Sequence, residues 1–308
     1  MLQCSAVEIK LKSPLDMHIH LRQGDLLQAV VSHTARAFAG AVAMPNTLPP
    51  VDSLERLQAY RREILSATGD APFEPLMVLF LRDYSEAELA AARPHLMGVK
   101  LYPEGITTNS SGGVRSLDEA EKVLARMEAL GIPLMVHGET NGFTMEREAE
   151  FGAWYAKWAR KFPELQITME HVTDRRNLAL IDKFENLRAT ITLHHLLFTL
   201  DDLIGGSLNP FLFCKPVVKT PADRDALREA ALNAHPKVMF GSDSAPHPRP
   251  AKIEKGAAGV YSAPVLLPKL VEFFEQHSAL HNLPAFVSYN ARTLYRYEPI
   301  ERVVTLRK

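Results

Sequence analysis

Asp16-Met17-His18-Ile19-His20-Leu21-Arg22 decides how this chain reads. Leu15, Met17, Ile19 and Leu21 take alternate positions, with two imidazoles between them. Side chains along a strand alternate between faces, so the segment predicts a strand with His18 and His20 on one side and Met17, Ile19 and Leu21 on the other. Two neutral imidazoles on one strand face are half of a metal site. A pair of hydrogen-bonded strand histidines explains an isolated His-x-His equally well, so the rest of the chain has to choose.

Short apolar runs alternate with helix-period segments along all 308 residues. Strands are predicted over 15–21, 41–45, 75–81, 97–102, 132–138, 165–172, 188–193 and 237–243, with amphipathic helices such as 53–66, 86–92, 146–162 and 221–234 between them. A further helix is expected over 117–130, opened by a Ser116–Glu119 capping box and stopped by Gly131. Eight βα repeats predict an α/β fold of the closed parallel kind, a TIM (β/α)8 barrel, in a single domain spanning 1–308. The chain is 46% hydrophobic, ample for such a core, and its net charge of −1 gives no electrostatic case for nucleic acid or an anionic membrane. Cys4 and Cys214 are the only cysteines, so no disulfide framework is expected. No basic region precedes an apolar run near the start, and no apolar stretch is long enough to span a bilayer. A cytoplasmic location is the expectation.

Metal-capable residues recur where the apolar runs stop. His18 and His20 close the first strand, Lys100 sits near the end of the fourth, His137 and His171 end the fifth and sixth, and Asp243 ends the eighth. In a parallel barrel all these ends face one rim, and polar groups buried there are costly unless they converge on something. Lys100 is the odd member, because an ammonium has no lone pair for a metal. Burial lowers its pKa and exposes an amine that can add carbon dioxide, giving a carbamate with two anionic oxygens. A salt bridge to a nearby carboxylate is the better reading of this lysine taken alone. The polar, glycine-rich stretch 103–115 directly follows the fourth strand, which puts it at the mouth as a lid. Arg22 lies two residues beyond His20, so the strand period turns its guanidinium to the same pocket, where it can grip a carboxylate with two parallel hydrogen bonds.

With these residues the chain resembles the amidohydrolase superfamily and, within it, the short, single-enzyme bacterial dihydroorotases. Met44-Pro-Asn-Thr47, Lys100-Leu-Tyr-Pro103, Thr107-Thr-Asn-Ser-Ser111, Val136-His-Gly-Glu139, Glu170-His171 and Gly241-Ser-Asp-Ser-Ala-Pro-His247 carry the resemblance in the expected order. It implies a zinc-dependent, reversible cyclisation of N-carbamoyl-L-aspartate to (S)-dihydroorotate in pyrimidine synthesis, a small-molecule partner and a homodimer. It implies two zinc ions: His18, His20 and Asp243 on the more buried one, His137 and His171 on the other, and carboxylated Lys100 bridging them. Asp243 would move the proton. Arg22, Asn46 and His247 would hold the substrate carboxylate, the main chain of Lys215 and Ala258 would meet the pyrimidine ring, and Thr107 and Thr108 would reach in from the loop. His20 and His137 would touch substrate as well.

Other residues are set aside. His194 and His195 adjoin on the seventh strand, point to opposite sides and read as structural. His33, His95, His235, His277 and His281 lack convergent partners, and Trp154 and Trp158 have helix-packing spacing. Hydantoinase-type hydrolases are the nearest rivals, but substrates without a ring carboxylate give Arg22, Asn46 and His247 no joint role. A silent scaffold barrel is the rival of another class, and such relatives lose metal ligands.

Overall fold

The eight expected strands all form, and each pairs in parallel with the next. The computed structural model describes residues 8–110 and 112–307; Cys4 and Ser111, noted in the sequence, lie outside the described residues. A short ribbon stands apart from the barrel, with β1 (Glu8–Lys12) antiparallel to β10 (Val303–Arg307). The barrel strands are β2 (Leu15–Ile19), β3 (Gly40–Ala43), β4 (Glu74–Phe80), β5 (Gly98–Leu101), β6 (Leu134–Val136), β7 (Ile167–Met169), β8 (Leu187–Ile191) and β9 (Val238–Phe240), neighbours in that order. All eight stop short of the expected C-terminal ends; His18 and Lys100 stay within their strands, whereas His20, His137, His171 and Asp243 lie just beyond theirs.

Parallel strands covered on both faces read as near-continuous apolar runs, and these strands sort into two layers. Ala41, Ala43, Met77, Leu79, Val99, Leu101, Leu134 and Val136 join the large cluster that also takes in the helices. Leu15, Met17, Val42, Met44, Leu76, Val78, Met135 and Met239 fill the barrel interior. Arg188 lies buried among them, donating from Nε to Thr168 Oγ1 at 3.0 Å and stacking 3.9 Å over the Tyr295 ring, so the C-terminal segment forms the floor.

One expectation on β2 needs correcting. Met17 packs inward with Leu15, whereas Ile19 and Leu21 pack outward, so Met17 does not share their face. The β2–β3 register shifts between Asp16 and Ile19, and a bulge of that kind breaks the two-residue alternation. The helix over Leu117–Leu130 forms with Ser116 accepting from the Glu119 amide at 3.2 Å and Gly131 in the left-handed region at φ 63°. Ser116 supplies only its half of the expected capping box; both halves occur at Ser85–Glu88 and Thr220–Asp223.

The barrel closes where β2 meets the end of β9. Ile19 bridges Ser244, the Asp243 amide donates to the His18 carbonyl at 2.8 Å, and the His20 amide donates to the Ser244 carbonyl at 3.1 Å. Asp16 Oδ1 accepts from the Ser242 amide at 2.8 Å. Gly241 makes this approach possible: a Cβ there would lie 2.9 Å from His18 Cβ and 3.0 Å from Thr190 Cβ, atoms fixed to their own backbones. Gly241→Ala is therefore expected to cost about 1–3 kcal/mol of stability, read as a lowered urea midpoint at unchanged slope.

Candidate active site

Six side chains from five strand ends converge at the barrel mouth. His18 Nε2 lies 3.5 Å and His20 Nε2 3.0 Å from Asp243 Oδ1. The His18 and His171 rings are 4.9 Å apart, the His137 and His171 rings 4.7 Å, and His137 Nδ1 is 3.1 Å from His171 Nε2. Lys100 points inward from β5 between the outward-facing Val99 and Leu101, fully buried, and its Nζ finds no hydrogen-bond partner among the described residues. Three residues of this region hold a left-handed backbone that glycine would favour: Arg22 (φ 62°), His171 (φ 39°) and Asp243 (φ 45°). Strained non-glycine positions of this kind cluster where a side chain has to be aimed.

Burial sets the protonation states. It drives His18 and His171 well below the ordinary imidazole pKa, and the positive charge of Lys100 adds to the effect on both. His20 is lowered by burial too, against the pull of Asp243. Lys100 is pushed down to about 8 by burial, with Glu170 and Asp243 resisting the fall. Burial pushes Asp243 up, but the close imidazoles of His20 and His18 outweigh this and hold it below the usual carboxylate range.

Outer partners fix which nitrogen carries the proton. Glu170 Oε2 lies 2.7 Å from His18 Nδ1, and Glu139 Oε2 lies 2.7 Å from His137 Nε2. A carboxylate only accepts, so each ring donates from that side and turns a lone pair inward. Asn46 donates from Nδ2 to the Thr108 carbonyl at 3.0 Å, which leaves its Oδ1 to accept from His20 Nδ1 at 2.9 Å. The inward nitrogens of His18 and His20 then face a carboxylate oxygen, and His137 Nδ1 faces another ring nitrogen. Imidazole lone pairs of His18 and His20 aimed at a carboxylate oxygen in a buried space, with His18 Nε2 and Lys100 Nζ left without hydrogen-bond partners, fit a site for cations. His18, His20 and Asp243 alone bring three ligand atoms within 4.8 Å of one another.

A narrow pocket opens beside them, lined by His20, Arg22, Asn46, Tyr102, Thr107, Thr108, His137, His171, Lys215, Asp243, Ala245, Ala258 and Gly259. His247 stands at its edge, with Nε2 2.9 Å from the Ala258 carbonyl and 3.1 Å from Arg22 Nη2. The carbonyl can only accept, so Nε2 carries the hydrogen; burial and the neighbouring guanidinium push the ring's pKa down to about 4 and keep it neutral. Arg22 Nε donates to the Pro246 carbonyl at 3.1 Å, which holds the guanidinium in place. The loop after β5 lies over the pocket. Asn109 donates to the Asn46 carbonyl at 3.0 Å, and Lys215 Nζ donates to the Ile106 carbonyl at 2.5 Å.

The amidohydrolase family model matches residues 16–296 of this chain. A dihydroorotase of Helicobacter hepaticus is 47% identical over 304 residues, covering 96% of this chain and 88% of that protein. The crystal structure of dihydroorotase from Campylobacter jejuni is 49% identical and superposes with a TM-score of 0.94 over 99% of this chain and 89% of that one. The chain belongs to the dihydroorotase family. Dihydroorotase from Saccharomyces cerevisiae, solved in complex with 5-fluoroorotic acid, is 34% identical with a TM-score of 0.88, over 94% of this chain and 86% of that one.

In this dihydroorotase all the candidate site residues lie at or beside the mouth, and further buried residues support them. Glu170 and Glu139 are two of these, and a carboxylate one or two residues from a strand-end histidine is the sequence signal for that role. His194 and His195 lie not on a strand but on the short helix Leu193–Leu197, both buried, with rings 4.3 Å apart. His195 is engaged by Thr192 Oγ1 at 2.9 Å and the Pro216 carbonyl at 3.2 Å, and the Cys214 thiol donates to that same carbonyl at 3.3 Å. Replacing the His18 partner tests the outer shell: Glu170→Gln is expected to weaken metal binding by about 10–100-fold, measured by competition against a chelator.

Proposed function

We propose that this dihydroorotase closes N-carbamoyl-L-aspartate to (S)-dihydroorotate and water, reversibly, as a zinc enzyme of pyrimidine synthesis. The observation that carries the reading is the pair of inward lone pairs of His18 and His20 around Asp243, with the His137 and His171 rings close by, beside the unpartnered amine of Lys100. His18, His20 and Asp243 would hold one zinc, His137 and His171 the other, and carboxylated Lys100 would bridge them. When bound, such a metal pair polarises the amide carbonyl and brings the pKa of water toward neutrality.

The chain's own groups supply the rest. With its pKa lowered to about 8, Lys100 presents more free amine near neutral pH than an exposed lysine does. Its nitrogen bonds to the carbon of carbon dioxide, releases one proton and becomes a carbamate whose single negative charge is shared by two oxygens. In hydrolysis Asp243 takes the proton of the attacking water and delivers it to the leaving ring nitrogen; in synthesis the same carboxyl group protonates the departing hydroxyl. Arg22, Asn46 and His247 receive the ring carboxylate, with Arg22 as the bidentate partner. The main chain of Lys215 and Ala258 takes the pyrimidine edge, His20 and His137 flank the reacting amide, and Thr107 and Thr108 reach in from a loop that excludes water. A hydantoinase-type substrate has no carboxylate for the Arg22 side of the pocket.

Further parts of the reading concern setting. We take residues 1–308 as one domain, working on small free anions in the cytoplasm as a homodimer, with neither nucleic acid nor membrane as partner. The net charge of −1 gives no pull toward nucleic acid or an anionic membrane, and among the described residues no helix is long and apolar enough to cross a membrane.

Ring closure assayed on carbamoyl aspartate tests the core of the proposal: a chelator should abolish it and added zinc restore it, and turnover indifferent to chelation would end the metal reading. Arg22→Met is expected to raise the KM for dihydroorotate about tenfold or more while kcat changes less; an unchanged KM would count against the clamp. Intact-protein mass should show one carbon dioxide on Lys100, dependent on bicarbonate and gone at acid pH. An adduct-free lysine in fully active enzyme would remove the bridge.

A further inference from the structure

Lys252, on the helix Arg249–Glu254, is 4% exposed and makes no ion pair among the described residues. Its ammonium instead donates to three main-chain carbonyls: Phe213 at 3.0 Å, Ala257 at 2.8 Å and Gly259 at 2.8 Å. An ammonium has three donors, and here all three are used. The acceptors come from two separate segments. One runs through Phe213 into Lys215, the other brackets Ala258, and both segments line the pocket. The Gly259 amide donates to the same Phe213 carbonyl at 2.8 Å, which joins the two directly. The Ala258 carbonyl in turn faces His247 Nε2, whose other neighbour is Arg22.

A buried cation without a counter-ion is expensive, and the plainer solution for a buried helix position is an apolar residue. What the lysine provides that an apolar residue cannot is one point holding three carbonyls from two segments. Without it the Ala257 and Gly259 carbonyls lose their donor, and the turn between them is free to reorient.

We propose that Lys252 is a positioning residue of the substrate pocket: it sets the spacing of the Lys215 and Ala258 main-chain segments, and through Ala258 the orientation of His247, so that the pyrimidine ring and its carboxylate are received together. This rests on the reading above that those two segments meet the ring. Lys252 itself touches neither metal nor reacting atoms, so its effect belongs in binding.

The test uses the metal-loaded full-length enzyme carrying Lys252→Met or Lys252→Ala. The KM for dihydroorotate should rise about tenfold or more, with kcat within about threefold of wild type and bound metal unchanged. Added propylammonium, which replaces the atoms lost in Lys252→Ala, should bring KM back down, and propionate should not. A wild-type KM in both variants overturns the proposal, as does a parallel fall of kcat and metal content, which would mark a merely structural lysine. Should neither variant fold, Lys252→Arg keeps the charge but offers planar donors; it should still raise KM, and a wild-type KM in that variant overturns the three-carbonyl requirement. Ala258→Pro, with Lys252 intact, reads the underlying contact separately. A normal KM there removes the contact and the lysine's role with it, whereas a raised KM there beside a normal one in Lys252→Met overturns the lysine alone.

Discussion

A closed parallel barrel has to join its first strand to its last, and in this chain the join is also the site. The amide of Asp243 donates to the carbonyl of His18, and the amide of His20 donates to the carbonyl of Ser244. The residues that close the cylinder are thereby the residues that bring His18 and His20 against the Asp243 carboxylate, across more than two hundred positions of sequence. Backbone hydrogen bonds of this kind fix the relative height of two strands to a fraction of an ångström, which a metal or proton-transfer site needs and a loop-borne constellation does not readily supply. Gly241 adds the steric half of the same constraint, since only a residue without Cβ lets the β9 exit pass His18.

Holding so many polar groups in a buried space costs free energy, and the outer residues show how that cost is contained. Glu170 accepts from His18 and also from Thr190 Oγ1 at 2.7 Å, so one carboxylate aims a ring from β2 while fastened to β8. Its own pKa is pushed up by burial to about 7, with the Lys100 charge opposing the rise. Asp16, also buried and raised to about 7, spends its hydrogen bonds on the amides of His18 and Ser242 at the seam. Burial favours the neutral form of His18, His20 and His171, the form in which they can offer lone pairs.

Much of this could be read from the chain alone, for a physical reason. Strand periodicity and the abrupt change from apolar to polar at strand ends are local signals, and in a parallel barrel local position along a strand translates directly into position at the rim. His18, His20, Lys100, His137, His171 and Asp243 were legible on that ground. What failed was set by pairing or by distant partners. Met17 turned inward because of a register shift against β3, which nothing in residues 15–21 announces. His194 and His195 left the strand because Thr192 caps a short helix with its side chain accepting from the His195 amide. Lys252 carries no motif at all: its role depends on three carbonyls whose approach only the folded chain displays.

Asn46 shows why these layers act as one. Its carbonyl oxygen faces His20, its amide nitrogen holds the Thr108 carbonyl, and its main-chain oxygen accepts from Asn109. A single residue just beyond β3 therefore couples the tautomer of a candidate metal ligand to the seating of the loop over the pocket. The two cannot vary independently: lifting the loop removes the acceptor that orients the Asn46 amide, and a flipped amide would present NH₂ to His20 Nδ1 and turn its proton inward. A bound carboxylate that drew the Asn46 amide away from Thr108 would have to offer an equivalent acceptor, or the His20 tautomer would lose its support. Substrate, loop and imidazole thus compete for and share the same few hydrogen bonds, so that a correctly placed anion and a correctly protonated ligand set favour each other.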